Sequence, residues 1–235
     1  MIEIKTNNQG GLKMKLPKIL YLAPLVFSCK WGDNLKASSE DGAGGTDAPF
    51  DCERGAPVKN GSVAHYPVEG ATCEEAADNL MEPYAGKTEC NLSLKYGGTF
   101  TPSNPPDTHE KCCTASVTGV TNKTYATVLL PHWEGCDPCF DQFYQNLVTH
   151  KQGHVDHCNE AGRTLEDRVK NIPSKTKCAM DYAAACNLAW KEIENGYNNI
   201  SEEVWNDFNL GCEQYDNDTN HGETQGATLN CNCEH

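Results

Sequence analysis

The segment Thr149-His150-Lys151-Gln152-Gly153-His154-Val155-Asp156-His157-Cys158 places imidazoles at i, i+4 and i+7. Helical residues four apart share a face, with Cβ atoms about 5–6 Å apart, so His150 and His154 can grip one metal ion. The spacing is that of H-E-x-x-H, in which the two histidines bind zinc and the glutamate is the general base. Here Lys151 stands at the glutamate position. A protonated lysine cannot take a proton from metal-bound water. To serve as base it would have to fall about three pKa units, roughly 4–5 kcal/mol. Repulsion by a dication and burial push in that direction, but Lys151 is expected instead to turn outward and leave a site that binds metal without cleaving.

His157 follows His150 by seven residues, about 10.5 Å along a helix axis, which is too far for one ion to reach both. Zinc–nitrogen bonds are about 2.0–2.1 Å, so the helix supplies two ligands and the third comes from elsewhere. His65, His109, His132, His221 and His235 are available. His221, in a polar stretch beside Gly222, can approach a buried helix without a bulky neighbour and is favoured, with Asp216 in reserve. Cys136-Asp137-Pro138-Cys139 has redox-motif spacing, but no βαβ pattern surrounds it, and a structural role is expected.

These residues need a scaffold. Phe140, Phe143, Tyr144, Leu147, Ala161, Leu165 and Val169 recur at three-to-four spacing, which predicts one helix from about Pro138 to Asn171, stopped by Pro173. A second helix, capped by Ser174, is expected through Met180, Ala184, Leu188 and Trp190 to Phe208, with a break near Gly196. Upstream, His65–Val68 reads as a strand, and Thr72-Cys73-Glu74-Glu75 as a capping box opening a helix to Met81. Residues 91–101 alternate as a strand with a glycine bulge at Gly97-Gly98. Cys112–Gly119 and Thr124–Leu130 read as a hairpin turning at 120–123. A polar C-terminal loop after Cys212 closes the site.

With 19 basic and 33 acidic residues and a net charge of −14, the chain lacks the basic face that nucleic acid or an anionic membrane surface requires. Its 14 scattered cysteines point to disulfides and an oxidising compartment. Met14–Lys18 is a basic head, Ile19–Phe27 an apolar run, and Ser28-Cys29 a small-residue end, the pattern of an export signal too short to span a bilayer. Val26-Phe27-Ser28-Cys29 also resembles a lipobox. The protein is therefore expected to be secreted or held at the cell envelope by lipid on Cys29. Residues 1–29 form the extension and signal, 30–50 a Gly-, Ser- and Asp-rich linker, and 51–235 the folded domain.

Three blocks resemble the bacterial predicted secreted zinc-dependent protease family, a zincin-like H-E-x-x-H domain. They are Tyr66-Pro67-Val68-Glu69-Gly70 with its following helix; Leu129-Leu130-Pro131-His132-Trp133 leading to His150-x-x-Gly153-His154; and Tyr215-Asp216-x-x-Thr219-x-His221-Gly222-x-x-Gln225-Gly226-Ala227. Together they span residues 64–229. The resemblance implies an α+β, zincin-like fold: a small antiparallel sheet, a long active-site helix, a second long helix and many disulfides. It implies Zn2+ held by His150, His154 and His221, and a protein or peptide as substrate or ligand. Lys151 departs from the family pattern. The expectation is an exported, zinc-binding, metallopeptidase-like protein without its general base. Two alternatives stand beside it: an active zinc peptidase using another base, and a non-enzymatic disulfide-rich surface module.

Overall fold

A computed structural model describes residues 3–6, 12–15 and 25–28 as backbone, and residues 58–81, 85–105 and 109–233. The expected linker, Cys29 and most of the expected signal lie outside the described residues. Strands β1 (Glu3–Thr6) and β2 (Leu12–Lys15) pair antiparallel. There follow β3 (Leu25–Ser28), β4 (Ser62–Pro67), α1 (Cys73–Asp78), β5 (Lys87–Ser103), β6 (Lys111–His132), α2 (Pro138–Lys170), β7 (Lys175–Ala179), α3 (Tyr182–Asp218) and a 3-10 turn, Glu223–Gln225.

The class is α+β, as expected, but the sheet is mixed rather than antiparallel. Its strand order is β3-β5-β6-β4, with β7 also pairing β6. Ser62–Pro67 lies parallel to Thr127–His132. Parallel neighbours need a long crossover, and α1 with β5 fills the interval between them. The expected hairpin at 120–123 is also corrected, since β6 runs unbroken for 22 residues. The segment Val120-Thr121-Asn122-Lys123 has β-branched residues and no glycine or proline to reverse the chain. Gly119 is the one residue of β6 with a positive φ (60°).

The chain packs as two compact units. One contains residues 91–124 and 158–208. Trp190 is its aromatic centre, with ring centroids 5.8 Å from Tyr96 and 5.7 Å from Phe100. The glycine pair of β5 is explained here, because a Cβ on Gly98 would lie 2.3 Å from the Trp190 ring. Cys112–Cys178 and Cys113–Cys186 staple this unit. Ser174 does not cap α3: its hydroxyl bonds Ser116 at 2.7 Å, and β7 intervenes. Asp181 takes the cap, its carboxylate accepting from the Ala184 amide at 2.8 Å.

The other unit contains residues 125–157 and 209–235 with the stretch that ends at Cys90. Leu130, Phe140, Val128 and Val155 are fully buried in it, and the Trp133 indole donates to the Gly70 carbonyl at 2.8 Å. The capping box forms at α1: the Glu75 amide donates to the Thr72 hydroxyl (3.3 Å), and the Glu75 carboxylate accepts from the Ala71 amide (2.7 Å). Cys73–Cys231 and Cys139–Cys233 tie the C-terminal tail to α1 and to the start of α2.

Helix α3 neither breaks at Gly196 nor stops at Phe208. Ala189, Ile193, Tyr197, Val204, Phe208 and Cys212 form a buried stripe that carries the helix on to Asp218. One helical glycine costs about 1 kcal/mol relative to alanine, too little to interrupt such a stripe.

Candidate metal centre

Helix α2 carries His150 and His154 one turn apart, and the last turn of α3 carries Asp216. Their ligand atoms form the one group of three metal-type donors found among the described residues, all within 4.8 Å of one another and all buried. Nε2 of His150 is 3.4 Å from Oδ1 of Asp216, and Nε2 of His154 is 3.0 Å from it. Two atoms bound at about 2.0–2.1 Å to one tetrahedral ion lie roughly 3.3 Å apart, close to the two nitrogen–carboxylate distances here, which are also hydrogen-bond distances.

The surroundings fix the His150 ring. Its Nδ1 lies 3.0 Å from Oε1 of Gln225, and its ring stacks on Tyr215 at 5.3 Å with 10° between planes. The Tyr215 hydroxyl donates to the His150 carbonyl at 3.1 Å, and the Gln225 amide donates to the Tyr215 hydroxyl at 3.2 Å. The Gln225 amide thus lies between the Tyr215 hydroxyl and the His150 ring, and the donor at the Nδ1 contact follows the His150 tautomer. With Nδ1 met by Gln225, Nε2 faces the Asp216 carboxylate oxygen at 3.4 Å, where either a proton or a metal ion would bind both atoms.

Burial opposes the proton. It is the largest influence on His150 and lowers its pKa; the Asp216 hydrogen bond resists, while the charges of Lys151 and His154 push further down. Burial alone would raise Asp216, but hydrogen bonds from His150 and His154, with the charges of His154 and Lys151, outweigh it and hold the carboxyl well below the usual range. Asp216 is thus a carboxylate and His150 a neutral imidazole at neutral pH, the ionisation states that metal ligation needs.

Two glycines let this happen. A Cβ on Gly153 would sit 2.2 Å from Cζ of Tyr215, so only glycine lets that ring lie on α2. Gly222, at φ 92°, passes so close to His150 that a Cβ would be 2.9 Å from its Cγ.

The expected ligands divide as follows. His150 and His154 converge, and Asp216, the reserve candidate, joins them where His221 was favoured. His221 is in the turn after α3 at φ 54°, and its amide donates to the Asp216 carbonyl at 2.6 Å. Its imidazole is not in the donor group. The physical reason is the extra length of α3, whose final turn brings Asp216 onto α2. His157 packs beside Tyr215, with ring centroids 5.7 Å apart, outside the donor group. His65 Nε2 bonds the Tyr144 hydroxyl at 3.0 Å, and the His132 ring is 5.7 Å away; neither joins the donor group.

Lys151 does not turn outward. It is only 8% exposed, and its Cε lies 3.2 Å from where a Cβ on Gly86 would be. The end of its aliphatic stem thus lies beside the Gly86 backbone, within the protein rather than in solvent.

Residues 63–222 match a family described as bacterial protein of unknown function (DUF922). The chain belongs to this family. The match covers His150, Lys151, His154, Asp216 and His221 and ends before Gln225. No curated protein and no solved structure matches this DUF922 chain. The positioning pair Tyr215 and Gln225 was not singled out among the candidate site residues. Their signal was the closing Y-D…Q-G-A block, together with the helical stripe continuing four residues at a time to Asp216.

Proposed function

We propose that this protein is a zinc-binding, metallopeptidase-like protein whose site holds metal without the usual hydrolytic base. The reading is supported chiefly by the convergence of the buried His150, His154 and Asp216 donor atoms, all within 4.8 Å of one another. His150, His154 and Asp216 would hold the ion, leaving an open coordination position. Zinc in such a position polarises a carbonyl and acidifies bound water. Gln225 meets His150 Nδ1 and Tyr215 bonds the backbone behind it, as outer partners of metal sites do.

Lys151 occupies the place from which a carboxylate would accept the proton of attacking water. Glu160, further along the helix, is exposed and paired with Arg163 at 3.0 Å. The native protein is therefore expected to bind zinc and to leave an unfolded protein substrate uncut, while Lys151→Glu gains zinc-dependent cleavage. Robust cleavage by the native protein, abolished by Lys151→Ala, would refute this reading.

A second reading is supported by the same contacts. The 3.0 Å distance from His154 to Asp216 is also that of a charge-assisted hydrogen bond. With Lys151 supplying positive charge, the cluster could be a metal-free structural network in a disulfide-stapled module. Metal content separates the two.

A further inference from the structure

We propose that the tail is an oxidation-dependent clasp on the metal centre, so that zinc is held tightly only after Cys73–Cys231 and Cys139–Cys233 have closed; this rests on the metal reading above. The chain after α3 turns back over α2. Gly222 passes the His150 ring, and Gln225 Oε1 lies 3.0 Å from His150 Nδ1. The Asn146 side-chain amide donates to the Gly226 carbonyl at 3.1 Å. Cys233 then reaches Cys139, about three helical turns before His150. The tail thus runs along α2 from the metal donors towards the start of the helix, and Cys231 fastens it to the first residue of α1.

The strap has no core of its own. No residue from Glu223 to Cys233 is buried, and beyond the 3-10 turn the stretch has no regular secondary structure. Ordering it costs conformational entropy that buried apolar surface does not offset. The two disulfides supply the order, because their partners Cys73 and Cys139 sit in helices and are 4% and 6% exposed. A positioning group held in place beforehand strengthens binding, and Gln225 is such a group. Opening the clasp therefore lowers zinc affinity, and by reciprocity bound zinc favours the closed clasp. Thiol–disulfide exchange can reach it from outside. Cys231 and Cys233 are half-buried, whereas Cys113 and Cys186 of the other unit are fully buried. A dithiol attacks a tail sulfur and forms a mixed disulfide, and the released Cys73 or Cys139 sulfur takes a proton. The second thiol of the reagent then closes it to a cyclic disulfide, leaving both cysteines as thiols. A reducing compartment thus keeps the centre unclasped, and an oxidising one closes it.

Zinc affinity is measured by chelator competition in the oxidised native chain and in the fourfold variant Cys73→Ser/Cys139→Ser/Cys231→Ser/Cys233→Ser. Cys112→Ser/Cys178→Ser, which removes a bridge of the other unit, is the control. The fourfold variant should lose affinity by about tenfold or more, and the control by less than about threefold. Gln225→Leu should cost less in the fourfold variant than in the native chain, because the open strap no longer holds the glutamine. Unchanged affinity in the fourfold variant, an equal loss in the control, or an undiminished Gln225→Leu effect overturns the clasp alone. Where the fourfold variant does not fold, the zinc-loaded native chain is reduced stepwise with a phosphine, and alkylation maps the thiols. Zinc release should follow labelling of Cys73, Cys139, Cys231 and Cys233 while Cys113–Cys186 stays closed. Zinc retained after those four thiols are labelled, or released only when Cys113–Cys186 opens, overturns the clasp as well. A native protein that takes up no zinc overturns the metal reading and this inference with it.

Discussion

His150 is held neutral, and that has a measurable cost in acid. Burial sets its folded pKa below the unfolded value of about 6.5. Between the two values the unfolded chain binds more protons, so stability is full above about pH 6.5 and falls as pH drops through that window. The unfolding midpoint of metal-free protein should therefore decline between pH 7 and 5.5, and the decline should be smaller in His150→Gln. Identical pH profiles for the two proteins would contradict the assignment of the buried neutral ring. Gln225 acts one shell further out, through its 3.0 Å contact with Nδ1. Gln225→Leu should weaken zinc binding by about 10–100-fold with little change in the unfolding midpoint of the metal-free form. Equal zinc affinity in a competition assay would show that Gln225 does not position the ligand.

At the scale of elements, two helical glycines make opposite predictions. Gly153→Ala drives a methyl group into the Tyr215 ring and should destabilise by about 1–3 kcal/mol, with loss of metal affinity. Gly196→Ala meets nothing closer than Ile172 at 3.7 Å and should stabilise α3 by up to about 1 kcal/mol. Denaturant titrations of both variants check this, and a stabilising Gly153→Ala would mean that the two helices are not in contact at Tyr215. Helix α2 was legible in the sequence almost to its ends because its apolar spacing is dense and Pro173 lies just beyond them. The end of α3 was not, because its last turns are marked by Cys212 and Asp216 rather than by large apolar residues. The unbroken β6 was missed for a related reason: its middle is polar and exposed, and alternation there reads like a turn. Asp216 was therefore placed in a loop, and His221 was favoured over it. Lys151 was expected to turn outward, and the signal against that lay in its methylene stem, which can be buried with the helix.

At the scale of the whole molecule, the disulfides make the strongest statement. Cys73–Cys231, Cys112–Cys178, Cys113–Cys186 and Cys139–Cys233 fit an extracytoplasmic protein, and among the described residues no helix is long and apolar enough to cross a membrane. Non-reducing peptide mapping should recover these pairs and find Cys212 as a buried thiol. Reduction should destabilise the protein, since native disulfides of this kind each contribute about 2–5 kcal/mol. Mostly reduced thiols in the native protein would overturn the compartment. The account as a whole depends on the metal, and elemental analysis after equilibration with zinc tests it most directly. It should find about one zinc per native chain, a sharp loss in Asp216→Asn, and none of that loss in His157→Ala. Loss in His221→Ala with Asp216→Asn unaffected would move the third ligand to His221, and a folded native protein that retains no zinc would contradict the central claim.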